Sequence, residues 1–338
     1  MALSGTGQTN KAQVRPEAEQ KIRRKLHRWF DRRGRDLPWR RTRDPYAIMV
    51  SEFMLQQTTV TAVLPYFERW MARFPTFESL ARAADEDVLS LWQGLGYYRR
   101  ARDLRRAAIA VVEGDEKTLR STSELRRLPG VGDYTAAAVA SFAFDAVEPV
   151  IDANIARLLA RLRNWKKPID DATGRAFLIN ASRDLLPKSG GRLHNSALMD
   201  LGALICVARN PRCCQCPIRE ECAAERPGKL PIKKPRQPVE RVSEARAFVF
   251  ERGKLWLEPA PGPRWRGMWL LPPATSANRS PDHVEPYSIT RFRVTMRVFL
   301  EPGDGRQLIG YAPDSLPPMP SPHRRTVAAM LERVHTRT

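Results

Sequence analysis

The chain has 338 residues and a formal net charge of +20, from 57 Lys and Arg against 37 Asp and Glu. That length provides for two or three domains with cores of their own, and that charge makes a polyanion, nucleic acid before membrane, the natural partner. No run of eighteen apolar residues is available to cross a bilayer, and the opening stretch lacks the apolar centre of a signal peptide, so residues 1–16 read as a disordered polar lead-in.

From about Glu17 to Cys222 apolar residues recur at spacings of three and four, as in Ala47–Tyr66, Ala101–Val112, Tyr134–Phe142 and Ile155–Leu162, which predicts an all-α region. Asp44-Pro45, Phe74-Pro75-Thr76, Ser121-Thr122-Ser123 and Leu128-Pro129-Gly130 punctuate it. Glu52 falls inside the first of these helices among Ile48, Met49, Val50, Phe53, Met54 and Leu55, a setting that favours the protonated form of a carboxyl group. In Leu128-Pro129-Gly130-Val131-Gly132 the glycines permit a tight turn whose backbone N–H groups can approach a phosphate without reading sequence. An ordinary helical turn is the plainer alternative. Asp152 stands just before the next helix, as a functional carboxylate or as an N-cap.

Cys206, Cys213, Cys216 and Cys222 follow as C-x6-C-x2-C-x5-C. Four thiolates within seventeen residues can face one point and suit either tetrahedral zinc or an iron–sulfur cluster. The fifth cysteine, Cys214, lies inside the same loop, so no disulfide framework remains and a reducing, cytoplasmic setting is expected. Between about 225 and 241, Pro227, Pro231, Pro235 and Pro238 alternate with Lys229, Lys233, Lys234 and Arg236 as a stiff basic linker. Beyond it the period becomes two: Ala245–Glu251 and Lys254–Leu257 flank Arg252-Gly253 as a hairpin, and Phe292, Val294, Met296, Val298 and Leu300 mark a further strand. A closing helix over Arg324–Val334 completes a small α+β domain.

A helix–hairpin–helix, an aspartate about twenty residues later and then the cysteine loop resemble, in that order, the helix–hairpin–helix DNA glycosylases that carry a [4Fe–4S] cluster. Within that superfamily the chain is similar to the MutY-type adenine DNA glycosylases, through Leu37-Pro38-Trp39-Arg40, Asp44-Pro45-Tyr46, Val50–Thr58, Trp92–Tyr98 and Met199–Ala203. The resemblance implies a mainly α, two-lobed fold: 17–45 with 149–224 as an iron–sulfur lobe, 46–148 as a six-helix lobe bearing the hairpin, 225–241 as linker and 242–338 as a Nudix-like domain. It implies a monomer acting on double-stranded DNA with a mismatched or damaged pair, excising adenine opposite 8-oxoguanine or guanine in base excision repair, associated with the nucleoid.

The same resemblance assigns roles. Cys206, Cys213, Cys216 and Cys222 hold the [4Fe–4S] cluster. Glu52 protonates the adenine and then activates water, while Asp152 stabilises the sugar cation. Tyr134 stands where bifunctional relatives carry a Schiff-base lysine, so the enzyme is expected to be monofunctional. Gln57 and Tyr97 enter the duplex, Trp39, Arg40 and Asn154 lie by the base pocket, and Gly130, Val131 and Gly132 hold the DNA backbone. Trp265–Pro272 resembles a segment of the family's Nudix-like domain, but no hydrolytic Nudix box follows.

Two departures stand out. Ile289-Thr290-Arg291, placed at the start of a strand, replaces the family's Phe-Ser-His element. Asp152-Ala153-Asn154 has alanine where glycine is usual, as in thymine–guanine mismatch glycosylases, which supply the alternative reading; a non-catalytic, cluster-bearing DNA-binding paralogue is the alternative of another class.

Overall fold

The computed structural model describes residues 16–114, 119–235, 237–303 and 307–335; the polar lead-in lies, but for Pro16, outside the described residues. Among the described residues, eleven α-helices precede the sheet: α1 (Pro16–Arg33), α2 (Pro45–Leu55), α3 (Val60–Arg73), α4 (Phe77–Ala81), α5 (Asp85–Trp92), α6 (Arg99–Glu113), α7 (Thr122–Leu125), α8 (Asp133–Phe144), α9 (Ala153–Leu162), α10 (Ala172–Leu185) and α11 (Gly191–Asp200). Strands β1 (Glu240–Glu251), β2 (Lys254–Pro259), β3 (Trp269–Leu270), β4 (His283–Ile289), β5 (Phe292–Leu300) and β6 (Ile309–Tyr311) follow, and α12 (Ser321–His335) ends the order.

One compact unit joins residues 1–45 to 132–234. Acidic Glu17 and Glu19 open α1 and basic Arg32 and Arg33 close it, each charge opposing the helix dipole at its end. Ile22 and Leu26 of α1 enter a core with Ile155, Leu158, Leu159 and Leu162 of α9, Leu178 and Leu185 of α10, and Ala197 and Leu198 of α11. Asp171 caps α10 by accepting from Gly174 N at 2.7 Å.

The second unit joins 46–131 to 235–338. Its helical part is fixed by Trp70, which packs edge-on against Phe74 and Trp92 and donates to the hydroxyl of Tyr46. The periodicity over Ala47–Tyr66 predicts one helix, whereas the structure breaks it at 56–59. Gln57 takes a left-handed φ of 58°, and Thr59 then caps α3 through Ala62 N.

The sheet runs β3-β2-β1-β5-β4, with β6 pairing β2. The hairpin of β1 and β2 is antiparallel as expected, while β1 and β5 pair in parallel from Glu240↔Phe292 to Phe248↔Leu300. Phe248, Leu255, Leu257, Met296 and Val298 pack under Val327 and Met330 of α12. Two expectations need correction. Ile289-Thr290-Arg291 does not begin a strand: β4 ends at Ile289, β5 starts at Phe292, and Thr290-Arg291 form the turn between them. The closing helix starts at Ser321, three residues earlier than its apolar spacing indicates.

Candidate active site and nucleic-acid interface

Glu52 sits in the middle of α2 at 4% exposure, enclosed by the buried run Tyr46–Met54. Few ionisable groups are placed so deeply without a reason. Near it, Gly130 has a φ of +76°, and a Cβ there would come within 2.6 Å of Asp103 Cβ and 3.0 Å of Phe53 Cε1. Only glycine lets the turn approach α2 and α6 so closely. Val131 is buried, and Gly132 leaves open space where its side chain would be and supplies the N-cap backbone of α8. Tyr134 lies in the first turn of α8, half-buried.

In the other unit Asp152 caps α9. Its Oδ1 accepts from Ile155 N at 2.7 Å and its Oδ2 from Asn154 Nδ2 at 2.8 Å. The cap is therefore present, and it also fixes the carboxylate's orientation. Asn154 Oδ1 in turn accepts from Arg157 at 2.9 Å, and Arg157 donates to the carbonyls of Gly202 and Cys206, both at 2.7 Å. A hydrogen-bonded series thus runs from Asp152 to the first cysteine of the loop. Arg157 was not singled out by the sequence; its position three residues after Asn154, on the same helical face, was the available signal.

Trp39 is buried, and Arg40 forks onto Asp200 at 2.8 and 2.9 Å. Asp200 is fully buried and also accepts from Arg35 N, Nε and Nη2. Burial alone would raise its pKa, but Arg40 and Arg35 outweigh it and hold the carboxyl below the usual range.

Cys206, Cys213, Cys216 and Cys222 line one cavity of ≈ 170 Å³, with Arg161 Nη1 3.3 Å from Cys206 Sγ. Cys214 is exposed and outside that lining. Among the described residues no group of three or more His, Cys, Asp or Glu closes around a single ion. Burial, and then the neighbouring Cys206, Cys222 and Cys213, push the Cys216 thiol up to about 11.

Gln57 and Tyr97 line a single groove of ≈ 800 Å³ in the second unit, facing Trp265, Tyr287, Ser288 and Thr290. Tyr97 is 48% exposed and, like Gln57, has a left-handed backbone, with φ of 49°. Arg291 turns elsewhere: it donates to Gln237 at 2.6 Å and pairs with Glu240 at 3.1 Å.

A model of the HhH-GPD superfamily of base excision DNA repair proteins matches residues 50–179. The chain is 32% identical over 250 residues to the adenine DNA glycosylase of Buchnera aphidicola subsp. Schizaphis graminum, covering 72% of each protein. It is 40% identical over 232 residues to that of Arabidopsis thaliana, covering 61% of this chain but only 37% of the plant protein. The structure of a thermostable thymine-DNA glycosylase superposes with a TM-score of 0.54 at 27% identity, over 61% of this chain and 96% of that one. The hairpin, the two carboxylates and the cysteine loop stand on a fold shared with these proteins, and the chain belongs to the adenine DNA glycosylase family of HhH-GPD base excision repair proteins.

Proposed function

We propose that this protein excises adenine mispaired with 8-oxoguanine or guanine in duplex DNA, as a monomer in the cytoplasm, and leaves an abasic strand intact. The observation that carries the proposal is the burial of Glu52 inside α2. Breaking a purine N-glycosidic bond requires protonation of the departing base and stabilisation of an oxocarbenium-like sugar. Glu52 supplies the proton to adenine N7 and then takes one from the attacking water. Asp152, oriented by Ile155 N and Asn154, supplies the negative charge that the sugar cation needs. Tyr134 carries no amine, so water is the final nucleophile.

The four cysteines that line one cavity are a donor set for a [4Fe–4S] cluster, and the order of hairpin, aspartate and cysteine loop in the sequence favours that cluster over a single zinc ion. When bound, such a cluster ties the loop of Cys206–Cys222 together; Arg157 and Arg161 hold that loop to α9 through Cys206. The C-terminal sheet with α12 is read as Nudix-like without hydrolytic chemistry.

Single-turnover cleavage of duplexes carrying A opposite 8-oxoguanine, A opposite G and T opposite G tests the assignment. Both adenine duplexes are expected to be processed, and Glu52→Gln to lose at least 10²–10⁴-fold, as for a general acid. Cleavage of the T–G duplex alone would establish the thymine reading, and none in any duplex would leave a binding protein.

A further inference from the structure

We propose that Arg100 is a positioning residue that braces the loops of Gln57 and Tyr97 as one rigid wedge; this rests on the glycosylase function proposed above and on the duplex-entering role that the family resemblance gives those two residues. Arg100 lies in the first turn of α6 and is 8% exposed. One Nη1 donates to Phe53 O at 2.8 Å, Met54 O at 3.0 Å and Gln56 O. The other nitrogen reaches Leu95 O and Gly96 O, both at 3.2 Å, and Thr58 Oγ1 at 3.3 Å. Carbonyls flanking Gln57 and carbonyls preceding Tyr97 thus converge on one planar cation.

Three features make this more than ordinary packing. Phe53 O and Met54 O belong to the last turn of α2, whose carbonyls have no partner within the helix and form its negative end; a buried cation there satisfies both needs. Gln57 and Tyr97 both hold left-handed φ values, 58° and 49°, which are unfavourable for non-glycine residues and persist only where the surroundings enforce them. The guanidinium also lies 5.5 Å from the Tyr97 ring and 5.3 Å from the Trp92 ring, and Trp92 Nε1 donates to Gly96 O at 3.0 Å. Burial lowers the Arg100 pKa to about 10, which leaves it charged at neutral pH. No carboxylate among the described residues pairs with it, so the loop carbonyls are its counter-charge. A lysine would keep the charge but lacks the fork needed to hold both loops at once.

The test is a double-mutant cycle on A–G duplex, read by single-turnover excision and by the fluorescence of 2-aminopurine placed at the target position, at saturating protein. Arg100→Lys is expected to lower excision roughly 10–100-fold, the effect of losing hydrogen bonds from a buried charge, and to reduce the fluorescence rise that reports base extrusion. In a Gln57→Ala/Tyr97→Ala background the same substitution should add less than about 2-fold, because the wedge is already gone. Thr58→Val, which removes one acceptor and leaves the core intact, should give a smaller loss of the same kind. Full additivity in the cycle, or an unchanged extrusion signal with Arg100→Lys or Thr58→Val, would overturn the brace. Unimpaired excision by Gln57→Ala/Tyr97→Ala would overturn the assignment of the loops, and the brace with it, while Glu52→Gln would still report on the glycosylase reading separately.

Discussion

Asn154 holds Asp152 from the side: its amide donates to Oδ2 at 2.8 Å while its carbonyl oxygen receives Arg157 at 2.9 Å. Gly202 makes room for this arrangement, since a Cβ there would stand 2.8 Å from Asn154 Cβ and 3.0 Å from its carbonyl carbon. Gly202→Ala is therefore expected to displace Asn154 and to destabilise the protein by about 1–3 kcal/mol, as overpacking does. Thermal melting and single-turnover excision should fall together, whereas an unchanged rate would show that Asp152 keeps its orientation without Asn154.

Asp200 binds both Arg35 and Arg40 in the interior, and its carboxyl is held below the usual range. A carboxylate depressed on folding contributes stability above its unfolded pKa, near 3.9, and loses it as pH falls through the lower folded value. Asp200→Asn should cost about 3 kcal/mol at pH 7, since two half-buried guanidinium groups lose their shared buried counter-charge. The difference from wild type should shrink below about pH 4. Denaturant titrations at pH 7 and pH 3 measure both; a pH-independent difference would contradict this account.

The cysteine loop separates two roles by position. Cys214 is exposed and outside the cavity, so Cys214→Ser should keep the iron content and visible absorption of the purified protein. Cys216→Ser should lose both. Zinc in place of iron in the wild-type protein would return the loop to the structural-zinc reading.

Tyr134, in the first turn of α8, carries no amine, and the function proposed above has water as the final nucleophile. Product strands should stay intact until alkali or heat is applied, and borohydride should trap no enzyme–DNA adduct. Efficient trapping would place a Schiff-base lysine elsewhere in the chain.

Thr290 occupies the turn between β4 and β5 with φ of 51°, an unfavourable region for a β-branched residue. Thr290→Gly should stabilise the protein by about 1 kcal/mol, visible as a higher melting temperature. A lower one would mean that the threonine hydroxyl, which donates to Ile289 O at 2.7 Å, outweighs the backbone term.

The helical half was legible because its apolar spacing is regular and its starts are marked chemically, by Asp44-Pro45 before α2 and by Asp152 at the head of α9. The break at Gln57 was not legible, since the apolar period continues across it and the φ reversal is imposed by tertiary contacts with Arg100. β4 escaped notice for a related reason. His283–Ile289 includes Pro286 and shows weak alternation, and its pairing with β5 supplies what its composition does not. At the candidate site, Glu52, Asp152 and the cysteines could be read from motifs. Arg157 left only its spacing from Asn154 as a signal, and Arg100 left none, because a buried arginine that serves backbone carbonyls makes no pattern in a basic chain.

The first compact unit draws its core from both sides of an 86-residue insertion, 46–131, and this orders events on the ribosome. Ile22 and Leu26 are made early, yet their partners on α9, α10 and α11 emerge more than a hundred residues later. During that interval α1 must travel with its apolar stripe uncovered, while the helices of 46–131 already have neighbours to close upon. The nascent chain is thus open to chaperones, and to aggregation, along α1, and a pause in synthesis before α9 would prolong that exposure.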